Sequence, residues 1–142
     1  MMSKTCRKVS ALMLDLSGTV HIEDKLIDGV KEGISMLKSS GVPIQYVSNT
    51  SKESLSSLRN KIVRAGLDVE EEDIFTSLTA ARDYVHSEGL RPMLLLEDSA
   101  AQEFSGIETE NPNSVVVGLS PSSFNYEKLN EAFSVGLFLI QI

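Results

Sequence analysis

Short apolar runs alternate along this chain with segments in which apolar residues recur at helical spacing. The first run, Ser10–Asp15, predicts a buried strand that ends on a carboxylate, and Val42–Val47 predicts a second strand. Strands that alternate with helices indicate an α/β fold with a parallel sheet, in which the first two strands lie side by side. Later strands are predicted at Ile74–Phe75, Met93–Leu96, Ser114–Val117 and Leu137–Ile142.

The helical segments carry recognisable start and stop residues. Asp28 is expected to cap a first helix, which ends before Gly41. Thr50 and Glu53 match a capping box and predict the start of a second helix, which ends at Gly66. The segment between the first strand and the first helix, Leu16–Lys25, is predicted to be a loop. Two more helices are predicted over Leu78–Ser87 and Tyr126–Phe133.

Composition narrows the class of protein. The chain has 142 residues, with 13 Lys and Arg against 20 Asp and Glu, and therefore a formal net charge of −7. This balance argues against binding to nucleic acid or to an anionic membrane surface, because both attract basic patches. Cys6 is the single cysteine, which excludes an intrachain disulfide and a zinc site built from several cysteines. With no apolar leader, the sequence predicts a protein of the reducing cytoplasm.

Two of the predicted strands end on polar residues that can carry chemistry. Asp15 closes the first strand, and Ser48 and Asn49 close the second. Because the carboxyl ends of parallel strands meet at one edge of the sheet, these side chains are expected to converge there. A carboxylate at such an edge can form an aspartyl phosphate or bind Mg²⁺, whereas an isolated Asp would be interpreted as a turn cap. Gly18 allows a sharp turn whose amide groups suit a phosphate.

The same residues resemble the motifs of a known family. Met13–Thr19 resembles the first motif of the haloacid dehalogenase superfamily, a strand leading into Asp-x-Asp-Gly-Thr, and Tyr46–Asn49 resembles its second motif. The resemblance implies a partial Rossmann-like core at residues 1–90, with a parallel sheet flanked by helices, followed by the N-terminal part of an α/β cap at residues 91–142. Segments similar to the branch with this cap are Asp73–Ala81, Val115–Leu119 and Phe124–Leu129.

The resemblance also implies an activity and a set of roles. The family member would be a Mg²⁺-dependent phosphatase of small phosphorylated molecules, and a homodimer is left open because related caps often dimerise. Asp15 would attack the phosphoryl group. The carboxylate of Asp15 and the main-chain carbonyl of Ser17 would bind Mg²⁺, and Ser48 would hydrogen-bond the transferring group. The residues implied to bind substrate are Gly18, Thr19, Ser48 and Asn49.

Ser17, the second catalytic position, departs from the family motif, which usually has an Asp there. That Asp protonates the leaving group and then activates water, and a serine hydroxyl is too weak an acid to do so near neutral pH. Relatives in this branch also carry Ser, so activity need not be lost. His21 is the nearest titrating side chain that could replace the Asp, although a histidine in a loop is more commonly a surface residue.

Two further motifs of the family have no counterpart in this sequence. They supply a Lys beside the nucleophile and acidic residues that complete the metal site; Lys52 is interpreted instead as a surface residue in the first turn of a helix. The apolar segment Val135–Ile142 has no closing turn, so the chain is expected to end inside a domain, with an edge strand beneath a helix as the alternative. We therefore expect impaired turnover. The alternative hypotheses are a non-catalytic truncated isoform that binds a partner and, less favoured, a receiver-like module.

Overall fold

The computed structural model describes residues 9–135 and 139–141, the last three as backbone only, so Cys6 lies outside the described residues. The strands are β1 (Leu12–Asp15), β2 (His21–Ile22), β3 (Lys25–Leu26), β4 (Ile44–Ser48), β5 (Ile74–Thr76), β6 (Pro92–Leu95), β7 (Ser114–Val117) and β8 (Leu139–Gln141). The helices are α1 (Val30–Ser39), α2 (Leu55–Ala65), α3 (Ser77–Ser87), α4 (Asp98–Ala101) and α5 (Tyr126–Ser134).

Two parallel sheets organise the described chain, and the prediction of an α/β fold is confirmed. The first sheet has the order β1-β4-β5, and the second has the order β6-β7-β8. All of their strand pairs are parallel, as the alternation of strands and helices predicts. The prediction that the first two strands are parallel neighbours is also confirmed, because β1 pairs with β4.

Each sheet packs against helices through its own apolar cluster. In the first cluster, Tyr46 of β4 is fully buried together with Leu58 and Ile62 from one face of α2. In the second cluster, α3 contributes its apolar face, and Val116 of β7 and Phe104 lie against it. The helix α3 therefore follows the first sheet in sequence but packs with the second. None of the helices that the structure describes is long and apolar enough to span a membrane.

The ends of two helices differ from the sequence-based expectation. The N-cap of α1 is Gly29 with φ of 80°, so the expected cap at Asp28 is wrong. The helix α2 begins at Leu55, and its N-cap is Ser54, whose hydroxyl accepts a hydrogen bond from the Ser57 amide at 3.4 Å. The predicted capping box at Thr50 is therefore wrong as well. Both Thr50 and Ser54 carry a hydroxyl that can cap, and the chain uses the later one.

Two short strands and one short helix were not predicted from the sequence pattern. The segment predicted as a loop, Leu16–Lys25, contains the antiparallel pair β2 and β3, with His21 opposite Leu26. The tight turn of this hairpin includes Glu23 with φ of 51°. The four-residue helix α4 was not predicted either. Strands of two residues and a helix of one turn are too short to show a period in the sequence.

Candidate active site

Asp15 stands at the carboxyl end of β1 and is exposed to solvent. Leu16, the next residue, is fully buried and continues the ladder, since its amide donates to the Val47 carbonyl at 3.0 Å. The chain then turns through Gly18, whose φ of 80° favours glycine. The hydroxyl of Thr19 lies 3.4 Å from Oδ2 of Asp15. The carboxylate of Asp15 is therefore exposed at the edge of the sheet, and buried Leu16 and the exposed residues of the turn follow it in the chain.

Ser48 ends β4 at the same edge of the sheet. The register pairs Asp15 with Val47, so Ser48 follows one residue beyond the partner of Asp15. Ser48 is 6% exposed, and its hydroxyl oxygen accepts a hydrogen bond from the Thr50 amide at 3.3 Å. Asn49 comes next and is exposed. The structure therefore brings the ends of the two motif-bearing strands together, although they are more than 30 residues apart in sequence.

A cavity of about 390 Å³ opens beside these strand ends. It lies between the turn after β1 and the segment that connects β4 to α2. Asp15 and Ser48 are not among its lining residues, so the cavity adjoins the two strand ends without containing their side chains. The residues from the two motif loops that line it are Ser17, Gly18, Asn49 and Thr50, and the charged residues are Glu23, Lys52, Glu53 and Lys61.

His21 contributes to the same cavity but is not a surface residue, since it is only 5% exposed. Its Nδ1 lies 2.8 Å from the carbonyl oxygen of Glu23. Because a carbonyl only accepts, Nδ1 is the donor in this contact, which leaves Nε2 as the nitrogen that could accept a proton. Within the described part of the chain, Nε2 has no hydrogen-bond partner. The expectation that this histidine is an ordinary surface residue is wrong.

Two lysines and two glutamates line the cavity, so their formal charges balance. Lys61 pairs with Glu53 at 3.5 Å, whereas Lys52 has no ion pair among the residues that the structure describes. Lys52 precedes α2 and lies in the connecting segment, so its interpretation as a residue of the first helical turn is wrong. An exposed cation at this position suits an anionic ligand. The sequence did not predict that Lys52 lines this cavity. A helix predicted to begin at Thr50 would have placed Lys52 in its first turn, whereas α2 begins at Leu55.

The two groups expected to bind Mg²⁺, the Asp15 carboxylate and the main-chain carbonyl of Ser17, both offer oxygen, which is the ligand atom that Mg²⁺ prefers. Across residues 9–135 and 139–141, no group of three or more His, Cys, Asp or Glu side chains could hold a metal ion. Mg²⁺ often uses one or two carboxylates and takes its other ligands from phosphate and water. The residues present therefore fit Mg²⁺ as a partial site.

Tyr46 illustrates how the core beneath the site is built. It is fully buried in β4, and its hydroxyl has no hydrogen-bond partner among the described residues. Burial raises the pKa of Tyr46 above its ordinary value, and the negative charge of Asp73 raises it further. The phenol therefore stays neutral and acts as a large apolar anchor two residues before Ser48.

A family model and two curated relatives are similar to this chain. A family model described as haloacid dehalogenase-like hydrolase matches residues 12–110. The chain is 46% identical over 129 residues to haloacid dehalogenase-like hydrolase domain-containing protein 2 of Bos taurus, covering 91% of this chain and 50% of the relative. It is 34% identical over 131 residues to phospholysine phosphohistidine inorganic pyrophosphate phosphatase of Homo sapiens, covering 89% and 48%.

A solved structure extends the similarity to the fold. The 4-nitrophenylphosphatase of Thermotoga maritima matches with a TM-score of 0.82 at 25% identity, and the match covers 94% of this chain and 54% of that one. The chain thus spans about half the length of the curated relatives that it matches.

Proposed function

Because this chain belongs to the haloacid dehalogenase-like hydrolase family, we propose that it carries a phosphoryl-transfer site in which Asp15 is the nucleophile. The observation that supports this most is the parallel register, which puts exposed Asp15 and buried Ser48 at the same edge of the sheet. Nucleophile and phosphate-binding hydroxyl would have to share one edge for this chemistry. The proposed reaction is hydrolysis of a phosphate ester.

The proposed reaction has two displacement steps. In the first, a carboxylate oxygen of Asp15 attacks phosphorus, the ester P–O bond breaks, and its electron pair leaves with the alcohol or phenol oxygen. In the second, water attacks phosphorus, the bond to Asp15 breaks, and inorganic phosphate leaves. The Ser48 hydroxyl and the backbone amides of Gly18 and Thr19 would orient the phosphoryl oxygens. When bound by Asp15 and the Ser17 carbonyl, Mg²⁺ would neutralise phosphate charge.

The second step must place a proton from water on an acceptor. Ser17 occupies the position of the usual acidic residue, and its hydroxyl is a poor proton acceptor near neutral pH. His21 is among the residues that line the adjoining cavity, and its Nε2 is buried without a hydrogen-bond partner among the described residues, so His21 is the proposed replacement. Its Nδ1 contact with the Glu23 carbonyl would hold the ring in the tautomer that leaves Nε2 free.

The finer properties are proposed from the family and the composition. The proposed substrate is a small phosphorylated molecule, in keeping with the phosphatase names of two matched proteins. The acidic net charge of −7 argues against nucleic acid or an anionic membrane as partner. We place the protein in the cytoplasm, keep a homodimer as a proposed state, and assign residues 1–90 to the catalytic core and 91–142 to the start of a cap.

A non-catalytic protein is the second candidate. The observation that favours it is that the described residues hold no cluster of three metal-binding side chains, so the Mg²⁺ site rests on one carboxylate. If Asp15 is the nucleophile, we expect slow turnover, because one carboxylate then holds the metal ion. A non-catalytic form would retain the fold and bind phosphate or a partner without hydrolysis.

Hydrolysis of p-nitrophenyl phosphate with Mg²⁺ tests the proposal. We expect slow release of nitrophenolate that disappears in Asp15→Asn and survives in Asp28→Asn. Asp28 is the matched control because it is an exposed Asp that caps no helix. Loss of activity in both variants, or in neither, would contradict the role of Asp15. A folded wild-type chain with no hydrolysis at all would favour the non-catalytic candidate.

A further inference from the structure

The segment between β4 and α2, residues 49–54, lies outside every helix and strand. We call it the substrate loop, because it begins at Asn49, directly after Ser48. A segment without regular structure is positioned by the contacts that it makes with its surroundings. Two such contacts, and a third at Leu55 immediately after the loop, come from residues more than 25 positions away in sequence.

The first contact is with the end of β7. The amide of Leu119 donates a hydrogen bond to the Ser51 hydroxyl oxygen at 3.0 Å, and Ser51 is only 9% exposed. The two backbones approach closely because residue 118 is glycine. A Cβ atom there would lie 3.0 Å from Ser51 Cβ, 3.2 Å from the Ser51 carbonyl oxygen and 2.6 Å from a methyl group of Leu96. A Cβ atom at residue 118 would require the Leu96 methyl group to move and Ser51 to shift by a few tenths of an ångström.

The second contact fixes the start of α2, which follows the substrate loop. Oε2 of Glu103 accepts a hydrogen bond from the Leu55 amide at 2.8 Å, and Oε1 accepts one from Arg82 at 2.6 Å. The Glu103 side chain is 7% exposed. A carboxylate is favoured at the N-terminus of a helix, and the guanidinium offsets the cost of burying it.

The third contact holds the middle of the loop. The Ser77 hydroxyl, at the start of α3, donates to the Thr50 carbonyl at 3.2 Å. The substrate loop is thus attached at Thr50, at Ser51 and immediately after its end at Leu55. Residues 92–119 contain β6, α4 and β7, and we call them the second-sheet layer. Two of the three attachments come from this layer, namely those of Glu103 and Leu119.

We propose that the second-sheet layer sets the geometry of the phosphate-binding residues, with Glu103 and Gly118 as positioning residues that do not touch the substrate. This inference rests on the proposed function for the role of Ser48 and Asn49. Its physical basis is separate, since the attachments exist whatever the loop binds. Displacing the layer by a few tenths of an ångström would move the loop and weaken phosphate binding.

The test compares Gly118→Ala and Glu103→Gln with matched controls in α1. Gly33→Ala is the control for the glycine, because a Cβ at that position meets no atom within 4 Å. Glu32→Gln is the control for the charge, because Glu32 is exposed. Amide hydrogen exchange of residues 49–55 reports the order of the loop, and calorimetry with inorganic phosphate and Mg²⁺ reports affinity.

We expect faster exchange across the loop and about tenfold weaker phosphate binding in both test variants, the size expected for losing one charge-assisted hydrogen bond. The controls should match the wild type. Ser51→Ala, which adds no bulk, replaces Gly118→Ala should that variant fail to fold. Unchanged exchange in folded variants, or a loosened loop with unchanged affinity, would overturn the inference. A wild type that binds no phosphate while the variants still loosen the loop would refute the proposed function and leave the attachment intact.

Discussion

Asp15 and Val47 are partners in the parallel ladder between β1 and β4. This pairing places Ser48 one residue beyond Asp15 at the carboxyl edge of the sheet. It also explains how two short motifs, each weak by itself, can form one site. Burial of Leu16 and Tyr46 in the first apolar cluster stabilises this register.

Replacing Ser48 with Ala tests the proposed phosphate-binding hydroxyl. We expect kcat/KM for p-nitrophenyl phosphate to fall about tenfold, as removal of one hydrogen bond to a charged group implies. Ser56→Ala serves as the control, since Ser56 is exposed on α2. Steady-state kinetics of the two variants measure the effect. Equal kcat/KM values in wild type and Ser48→Ala would remove Ser48 from the site.

Replacing His21 with Gln tests the proton acceptor. We expect kcat to fall about 10²-fold, which is at the lower end of general-base effects. The first step, which releases one nitrophenolate per Asp15, should keep its rate, because that leaving group needs no added proton. His86→Gln is the control, since His86 is the other histidine and is exposed. Stopped-flow traces separate the two steps, and an unchanged slow phase in His21→Gln would exclude this role.

The corrected start of α2 makes a prediction about stability. Ser54→Ala should lower the free energy of unfolding by about 1 kcal/mol, because the Ser57 amide loses its side-chain acceptor. Thr50→Ala should change it by less than about 0.5 kcal/mol, since Thr50 caps no helix. Urea unfolding followed by circular dichroism measures both. If Thr50→Ala lowered the free energy of unfolding more than Ser54→Ala did, Thr50 and not Ser54 would be the cap of α2.

Regular patterns predicted most of the fold, and particular residues show why. The helical spacing of Leu58 and Ile62 reflects their burial on one face of α2, and Gly66 ends that helix with φ of 105°. Local sequence carries such information, because periodicity and capping act over a few residues. The edge location of Asp15 followed from the same logic, as the apolar run before it marks a buried strand.

Other features depend on contacts between residues far apart in sequence, and no local sequence pattern predicts them. Glu103 meets Leu55 across 48 positions, and neither residue stands in a recognisable motif for that contact. The buried His21 lies in a hairpin whose strands have two residues each, which is too short to predict from a pattern. The choice between Thr50 and Ser54 as helix cap is likewise made by tertiary packing, since both hydroxyls are suitable.

Tyr46 gives a prediction that separates stability from activity. Tyr46→Phe should raise the free energy of unfolding by about 1 kcal/mol, because it removes a buried hydroxyl that has no partner. The pKa of Tyr46 is raised in the folded chain above 10.0, so the folded state keeps its proton to higher pH than the unfolded state. Stability of the wild type should therefore fall as pH rises above about 10.

Tyr46→Phe should lose that part of the pH dependence, while Tyr126→Phe, at an exposed position, should keep it. Thermal unfolding between pH 8 and pH 11 measures the difference. The same slope in all three proteins above pH 10 would show that ionisation of Tyr46 is not linked to unfolding.

The central claim is that Asp15 itself accepts the phosphoryl group. Acid quenching during incubation with p-nitrophenyl phosphate and Mg²⁺, followed by peptide mass spectrometry, tests it directly. The account predicts a peptide containing Asp15 that carries the mass of one phosphoryl group, is sensitive to hydroxylamine, and is absent from Asp15→Asn. Phosphorylation at another residue, or nitrophenolate release with no phosphorylated peptide in the quenched wild type, would contradict the claim.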